Sequence, residues 1–569
     1  MRYLALAVDY DGTAADRDTL SDAAASAIER VRISGRRTLL VTGRRFEDLR
    51  RACSRLDLFD LIVAENGATL YDPQLRQEIL LAPPIPPQFA ERLRERGVAP
   101  LEVGRVLVAT HDLHRGAVLD AIHDLGLELQ LTFNRSALMA LPPGVNKATG
   151  LEFALRRLGL SRHEVVGIGD AENDHSFLAR CECSVAVANA IESIKRAADI
   201  VTEGSDGEGV AELAEELIAT DLRRMERKLT RHLVFVGRRT DGEEVYIGPY
   251  GCNILIAGPS GSGKSTLTAG LVERLIEKSY QVCLIDPEGD YSTLQAVISL
   301  GNERRAPTVN EALSIMEDPA INVSINLLGL PLEDRPSFFS QLIPGLHALR
   351  ARTGRPHWIV LDEAHHMLPQ SWGHSGSTLP RKLGETILVT VHPDHIAPAV
   401  LAPIDVVFAI GHSPDRTLRE YAGAAKHVLE WPEGLTHQPG SVVAWFVTDG
   451  QAPFSMRPEP GRAERIRHHR KYAEGDLRYH SFYFRGPNNA HNLKAHNLAM
   501  FCQIGAGIDE ATWLYHLRRN DYSRWIRDAI KDGWLAEQVE GVESRHDLSP
   551  QQTRDLVREL ILSRYTLPE

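Results

Sequence analysis

Short apolar runs that stop on an aspartate, a threonine or a glycine constrain this chain more than any other feature. Leu4 to Val8 stops on Asp9, Thr38 to Val41 on Thr42, and Val165 to Ile168 runs into Gly169-Asp170, while Leu61 to Ala64 and Ser184 to Val187 are two further runs of the same kind. With helical stretches between them, these segments predict parallel strands of a doubly wound α/β sheet. Ligands in such sheets meet the carboxyl ends of the strands. Asp9, Thr42 and Asp170 would therefore converge on one site.

A second strand and helix series runs from Asn253 to about Phe446. Its first run, Asn253 to Ala257, opens directly into Gly258-Pro259-Ser260-Gly261-Ser262-Gly263-Lys264-Ser265, and Thr266 to Ile276 has the pattern of a helix. Between the two series, Ala211 to Lys228 reads as a charged helical stretch and Leu233 to Ile247 as a short β segment. Pro83-Pro84-Ile85-Pro86-Pro87 and Pro142-Pro143-Gly144 bracket about 60 residues of mixed pattern, the mark of a cap inserted into the first sheet. A proline-rich stretch, Met456 to Gly461, reads as a linker to a mainly helical end with a capping box at Ser549-Pro550-Gln551-Gln552. A chain of 569 residues has room for each part to bury its own core.

The first series carries the parts of a phosphoryl-transfer site. A carboxylate that attacks a phosphoryl group needs a cation to offset negative charge and an acid to protonate the leaving oxygen. Asp9 and Asp11 stand two residues apart at a strand end, Thr42 can donate to a phosphate oxygen, and Lys147 can balance an aspartyl-phosphate. Asp170, Asn173 and Asp174 in Gly169-Asp170-Ala171-Glu172-Asn173-Asp174 offer oxygen ligands suited to magnesium.

These residues lie in the strings DYDGT, VTGR, AENGA, GVNKATGL, GIGDAENDHSFL and VAVANA, and residues 1–218, with a cap at about 82–143, resemble the haloacid dehalogenase (HAD) superfamily in its Cof-like subgroup. The resemblance implies Asp9 as nucleophile and Asp11 as general acid and base. It further implies Thr42 and Lys147 on the phosphoryl group, and magnesium on Asp170, Asp9 and the Asp11 carbonyl, supported by Asn173 and Asp174. Cap residues set the substrate in that family; Glu102, Arg105, Asn134 and Arg135 are charged or polar cap positions here that could face substrate or solvent, solvent being the expectation for any one of them.

In the second series, backbone N–H groups of Gly258, Gly261, Ser262 and Gly263 would cradle nucleotide phosphates at a helix start that includes Thr266. Lys264 would reach the β and γ phosphates and Ser265 the magnesium ion. The apolar run His357 to Leu361 ends on Asp362-Glu363, which supplies Asp362 to the metal and Glu363 to polarise the attacking water. With LIDPEGDY, INLLGLP and VLDEAHHMLP, residues 232–455 resemble the ring-forming HerA and FtsK ATPases, HerA most closely.

That resemblance implies a RecA-like P-loop domain, hydrolysis of ATP between subunits of a hexamer, and an arginine supplied in trans, for which Arg352, Arg355 and Arg416 are the candidates. One departure stands out. Where these ATPases place a glutamine after the threonine that ends the next strand, Thr390 is followed by Val391-His392-Pro393.

The reading is then of a magnesium-dependent phosphatase joined to an ATPase ring that regulates or assembles it. The alternative is a DNA-translocating motor, in defence against phage, whose phosphatase acts on nucleotides or nucleic-acid ends. A net charge of −12 argues against a surface that is basic all over, though not against a basic ring or pore formed by a few residues in an oligomer. Apolar content of 43% without an 18-residue apolar run argues against a membrane span, and a cytoplasmic location is expected. The six cysteines lack Cys-x-x-Cys spacing and are expected as reduced, mostly buried thiols.

Residues 462–569 carry a basic run from Arg462 to Lys471 and an aromatic stretch from Tyr479, expected as a small mainly helical domain. Trp513, Tyr515, Leu517, Tyr522, Trp525 and Ile526 are expected in its core, and His480, His491 and His496 lack partners at ligand spacing.

Overall fold

The computed structural model describes residues 1–16, 18–291, 294–370, 384–435, 440–461, 481–530 and 532–564. The basic run and His480 lie outside the described residues. Among those described, no helix is long and apolar enough to cross a membrane. All six cysteines are unpaired and five are buried.

The expected first sheet forms, with eight strands. Six are parallel, in the order Ile200–Val201, Cys183–Ala186, Val165–Gly169, Ala5–Val8, Arg37–Val41 and Leu61–Ala64, and Thr69–Asp72 and Gln77–Leu80 extend it antiparallel. Central strands buried on both faces need continuous apolar runs. Ala5–Val8 is such a run and is buried throughout. Its parallel neighbours bring Asp9, Thr42 and Asp170 to one edge.

An antiparallel four-stranded sheet, ordered Gln130–Asn134, Ala137–Leu141, Val108–His111 and Leu101–Val103, packs its own apolar core with helices Pro87–Glu95 and Arg115–Asp124. This cap is tied down by one buried side chain of the first sheet's rim. Glu65 accepts backbone N–H groups from Arg105, Val106 and Leu107 at 2.7, 2.8 and 3.0 Å.

The second sheet has eleven strands. Seven are parallel, running Val406–Ile410, Ile254–Ala257, Thr386–Thr390, Trp358–Leu361, Val282–Asp286, Val323–Asn326 and Ile298–Leu300. Four antiparallel strands continue past Val406–Ile410, and the last two are the hairpin Val234–Arg239 and Glu244–Ile247 in the region read as β.

The two α/β sheets share one compact unit and are joined by a buried polar junction. Its centre is His357, whose Nδ1 accepts the Gln281 N–H at 2.7 Å and whose Nε2 therefore donates to Glu164 at 2.6 Å. Burial holds the His357 imidazole below its ordinary range and favours this neutral form. Glu164 immediately precedes the strand that ends at Asp170, and His357 the strand that ends at Asp362. A buried hydrogen bond thus links the starts of two strands whose far ends carry acidic residues.

Arg355 belongs to the same junction, which corrects its candidacy as an arginine supplied in trans. It is fully buried and donates to the Gly159 and Glu317 carbonyls and to the Gln281 side chain, because the turn before the strand Trp358–Leu361 faces the first sheet rather than solvent. Arg352 and Arg416 are exposed and pair within the chain with Glu317 at 2.5 Å and Glu420 at 2.8 Å.

The second compact unit takes in the C-terminal residues. A hairpin, Phe482–Phe484 with Leu493–Ala495, is followed by helices that include Leu498–Gly507, Glu510–Leu517, Gly533–Glu543 and Pro550–Arg564. Trp513, Leu517, Tyr522, Trp525 and Ile526 are in its core as expected, whereas Tyr515 is half-buried at the edge. The capping box at Ser549 and Gln552 forms with both reciprocal hydrogen bonds. His491 pairs with Asp509 at 2.9 Å, and His496 is half-buried.

Candidate active sites

At the first site Lys147 is the hub. Its ammonium donates to Asp9 at 2.5 Å and to Asp174 at 2.6 Å, with all three side chains almost fully buried. Asn146 caps the helix Lys147–Leu158, which fixes where Lys147 enters. Asp174 is held by the N–H groups of Asp170 and Ala171, both at 2.9 Å. Asp9, Asp170 and Asp174 bring ligand atoms within 4.8 Å of one another.

Burial and the closeness of three carboxylates both oppose negative charge here. Burial and then the Asp174 charge push Asp9 well above the usual carboxylate range. The same two causes push Asp170 up to about 6. Burial pulls the Lys147 ammonium down, but Asp174 and Asp9 outweigh it and keep the group charged.

This donor set fits an oxygen-seeking divalent cation. Asn173 supports the fit: its amide nitrogen donates to Asn66 at 3.2 Å, while its buried Oδ1 has no hydrogen-bond partner among the described residues. Gly12 supports it as well. Its φ is +77°, and a Cβ there would lie 2.6 Å from an Asp170 oxygen, so only glycine lets the Asp11-Gly12 backbone come this close.

Thr42 is buried at its strand end, its hydroxyl accepting the Arg44 N–H at 3.1 Å. Asp11 is half-exposed and takes the Arg44 guanidinium on both oxygens, at 2.9 and 2.8 Å from Nε. Arg44 was not among the sequence candidates, although Val41-Thr42-Gly43-Arg44 lies at a strand end. Arg135 is exposed, as expected of a cap residue, and it also reaches the acidic cluster. The tight turn between Gln130–Asn134 and Ala137–Leu141 puts it at φ +52° and carries its guanidinium to Asp170 at 2.5 Å. Glu102 is exposed and lies 3.8 Å from Arg45, and Arg105 lies 3.8 Å from Glu78, so neither is brought to the cluster.

At the second site the loop Gly258–Gly263 leaves the strand Ile254–Ala257 and opens the helix Lys264–Glu277. Gly258 passes so near the next strand that a Cβ would sit 2.1 Å from the Ile410 carbonyl oxygen. Gly261 and Gly263 both have positive φ. Lys264 is buried and donates to the Pro259 carbonyl at 3.2 Å, and Thr266 is exposed in the first helical turn. The Ser262 hydroxyl is buried without a partner among the described residues, which suits a loop shaped for phosphate oxygens.

Asp362 is buried, and burial pushes its carboxyl up to about 7. Glu363 follows in a left-handed conformation at φ +45° and donates its N–H to Asp362 at 2.9 Å. Burial raises the Glu363 carboxyl too, against the opposing charge of Lys264. Asp290 was missed by motif reading. The turn nucleated by Asp286, which accepts the N–H groups of Gly289, Asp290 and Tyr291, delivers Asp290 to the Ser265 hydroxyl at 3.0 Å. Ser265 and Asp290 are paired oxygen donors of the type magnesium prefers, and Asp362 is another, just past the strand Trp358–Leu361.

Comparison with known proteins agrees with this geometry. The family model for haloacid dehalogenase-like hydrolases matches residues 6–96 and 125–213. Phosphoglycolate phosphatase from Methanothermobacter thermautotrophicus is 31% identical over 217 residues, which are 37% of this chain and 96% of the relative. The chain belongs to the haloacid dehalogenase-like hydrolases. Phosphoglycolate phosphatase from Archaeoglobus fulgidus is also 31% identical, over 37% of this chain and 94% of its own.

A solved haloacid dehalogenase-like hydrolase from Bacteroides thetaiotaomicron covers 38% of this chain and 99% of its own at 22% identity and a TM-score of 0.32. The family model described as the central domain of helicase HerA matches residues 235–366. This HAD-type hydrolase therefore carries a HerA-like ATPase domain in the same chain, and it is an enzyme.

Proposed function

We propose that residues 1–218, with the cap at 82–143, hydrolyse the phosphomonoester of a small phosphorylated carboxylic acid, and that residues 232–455 hydrolyse ATP. The observation that carries the first part is the Lys147 bridge between Asp9 and Asp174, with a cap arginine paired to Asp170 beside it. In this reading an Asp9 oxygen attacks phosphorus and forms an aspartyl-phosphate as the bond to the leaving oxygen breaks. Asp11 gives that oxygen its proton, for which the pairing with Arg44 has to open. Asp11 then takes a proton from the water that attacks the aspartyl-phosphate, releasing phosphate and restoring Asp9.

Lys147 balances the charge that appears on the phosphoryl oxygens, and Thr42 donates to one of them. Asp9, Asp170, the Asp11 carbonyl and the Asn173–Asp174 shell would hold magnesium, which supplies positive charge against the phosphoryl group. At the second site Lys264 and the loop N–H groups bind the β and γ phosphates, and Glu363 orients and deprotonates water. Ser265 and Asp362 would hold magnesium there, which supplies positive charge against the phosphates.

The substrate class rests on Arg135. A guanidinium brought from the cap to the cluster rim is suited to pair with a carboxylate on the leaving group, and the relatives are named for phosphoglycolate. Arg135→Ala should raise KM for phosphoglycolate about tenfold or more, in line with the ~1.5–3 kcal/mol of a charged hydrogen bond. KM for a neutral sugar phosphate should change little. Equal loss on both substrates would count against the carboxylate assignment.

We further propose that the HerA-like domain assembles the chain into a homohexamer that regulates the phosphatase, with Arg352 or Arg416 entering the neighbouring site. Light scattering with ATP should give six chains per particle, and a monomer under those conditions would contradict the ring. Residues 462–569 are proposed as a separate helical domain. Translocation of DNA is not adopted, since the segment after Thr390 lacks the glutamine of the motors it resembles.

A further inference from the structure

The segment that replaces that glutamine gathers histidines. The strand Thr386–Thr390 is followed by Val391-His392-Pro393-Asp394-His395, and a 3-10 turn over Pro393–His395 folds His395 back onto His392. Their rings stack with centroids 4.7 Å apart at 25°. His365, just past the apolar strand Trp358–Leu361 and its Asp362-Glu363 end, meets His392 edge-on at 5.7 Å, and the His366 ring lies 4.1 Å from that of His365.

His392, Asp394 and His395 can each offer one ligand atom, all within 4.8 Å, and Glu363, His365 and His366 form an adjoining group of the same kind. The packing of an apolar core does not explain the cluster, because His366, His392 and His395 are exposed. Charge repulsion opposes gathering four imidazoles if they are protonated. Two imidazoles and a carboxylate with open positions form a ligand set for borderline divalent ions, unlike the oxygen sets at Asp170 and Ser265.

We propose that His392, Asp394 and His395 bind a divalent transition-metal ion of zinc-like chemistry at the edge of the ATP site. The ion is not the magnesium of either hydrolytic site, because its ligands are mainly nitrogen. A short path connects it to Glu363. The His392 backbone N–H donates to the Thr390 hydroxyl at 3.0 Å, His365 Nδ1 lies 3.1 Å from that hydroxyl, and the same nitrogen is 3.3 Å from Glu363. Holding His392 on a metal would fix the segment that occupies the glutamine's place, so zinc is expected to alter ATP turnover. Binding itself does not depend on turnover.

The test uses the full chain, stripped with EDTA, returned to excess magnesium so that oxygen sites are filled, loaded with zinc and gel-filtered. Wild type should retain about one zinc per chain more than the His392→Ala/His395→Ala double variant. Asp394→Asn, a milder change at an exposed position, should retain zinc less firmly than wild type. Cobalt in place of zinc should give a visible ligand-field absorption that the double variant lacks. Equal zinc content in wild type and double variant, with or without retention, overturns the site.

Discussion

Asp9→Asn is expected to abolish phosphate release from phosphomonoesters, by at least about a thousandfold, while leaving ATP hydrolysis in place. The amide keeps the shape of the side chain but has no anionic oxygen to attack phosphorus. Lys147 retains Asp174 as a partner at 2.6 Å, so the site keeps its charge pairing and the strand end its position. Steady-state assay of phosphoglycolate hydrolysis checks it, with circular dichroism to verify the fold. Residual activity within tenfold of wild type would mean that another group is the nucleophile.

Lys264→Ala is expected to do the reverse. Lys264 is buried under the glycine-rich loop, and the loop N–H groups alone cannot offset the charge that builds on the β and γ phosphates. ATP hydrolysis should fall by at least about a hundredfold. The phosphatase site lies in the other sheet and shares no residue with the loop, so its basal rate in the absence of ATP should persist. A coupled assay of ADP formation checks the first expectation.

The strand ends that gather at both candidate sites were legible in the sequence because each apolar run stops on its polar residue or one glycine short of it. Asp9, Thr42, Asp170 and Asp362 needed only the rule that parallel strands place their carboxyl ends together. What escaped reading depends on approach across the fold. Arg135 reaches Asp170 through a cap turn, and Glu65 reaches the cap through three backbone N–H groups, neither of which leaves a local pattern. Asp290 is delivered by a turn that Asp286 nucleates.

Arg355 was misread for the opposite reason. A charged residue after Gly354, beside Arg350 and Arg352, has the local appearance of a solvated helix end. The docking of the first sheet buries it, and carbonyl groups rather than carboxylates take up its donors. His357 carries the same lesson in a useful direction: a histidine at the start of an apolar strand is a polar group whose partner has to come from elsewhere, here Glu164.

The central claim is that one chain carries two separate hydrolytic sites. A crossed assay tests it most directly: phosphate release from phosphoglycolate without ATP, and ADP formation from ATP without phosphoglycolate, on wild type, Asp9→Asn and Lys264→Ala prepared in parallel. The account predicts that Asp9→Asn loses only the first activity and Lys264→Ala only the second. If either substitution removed both activities from a folded protein, or if ATP were consumed at the Asp9 site, the account of two sites would be contradicted.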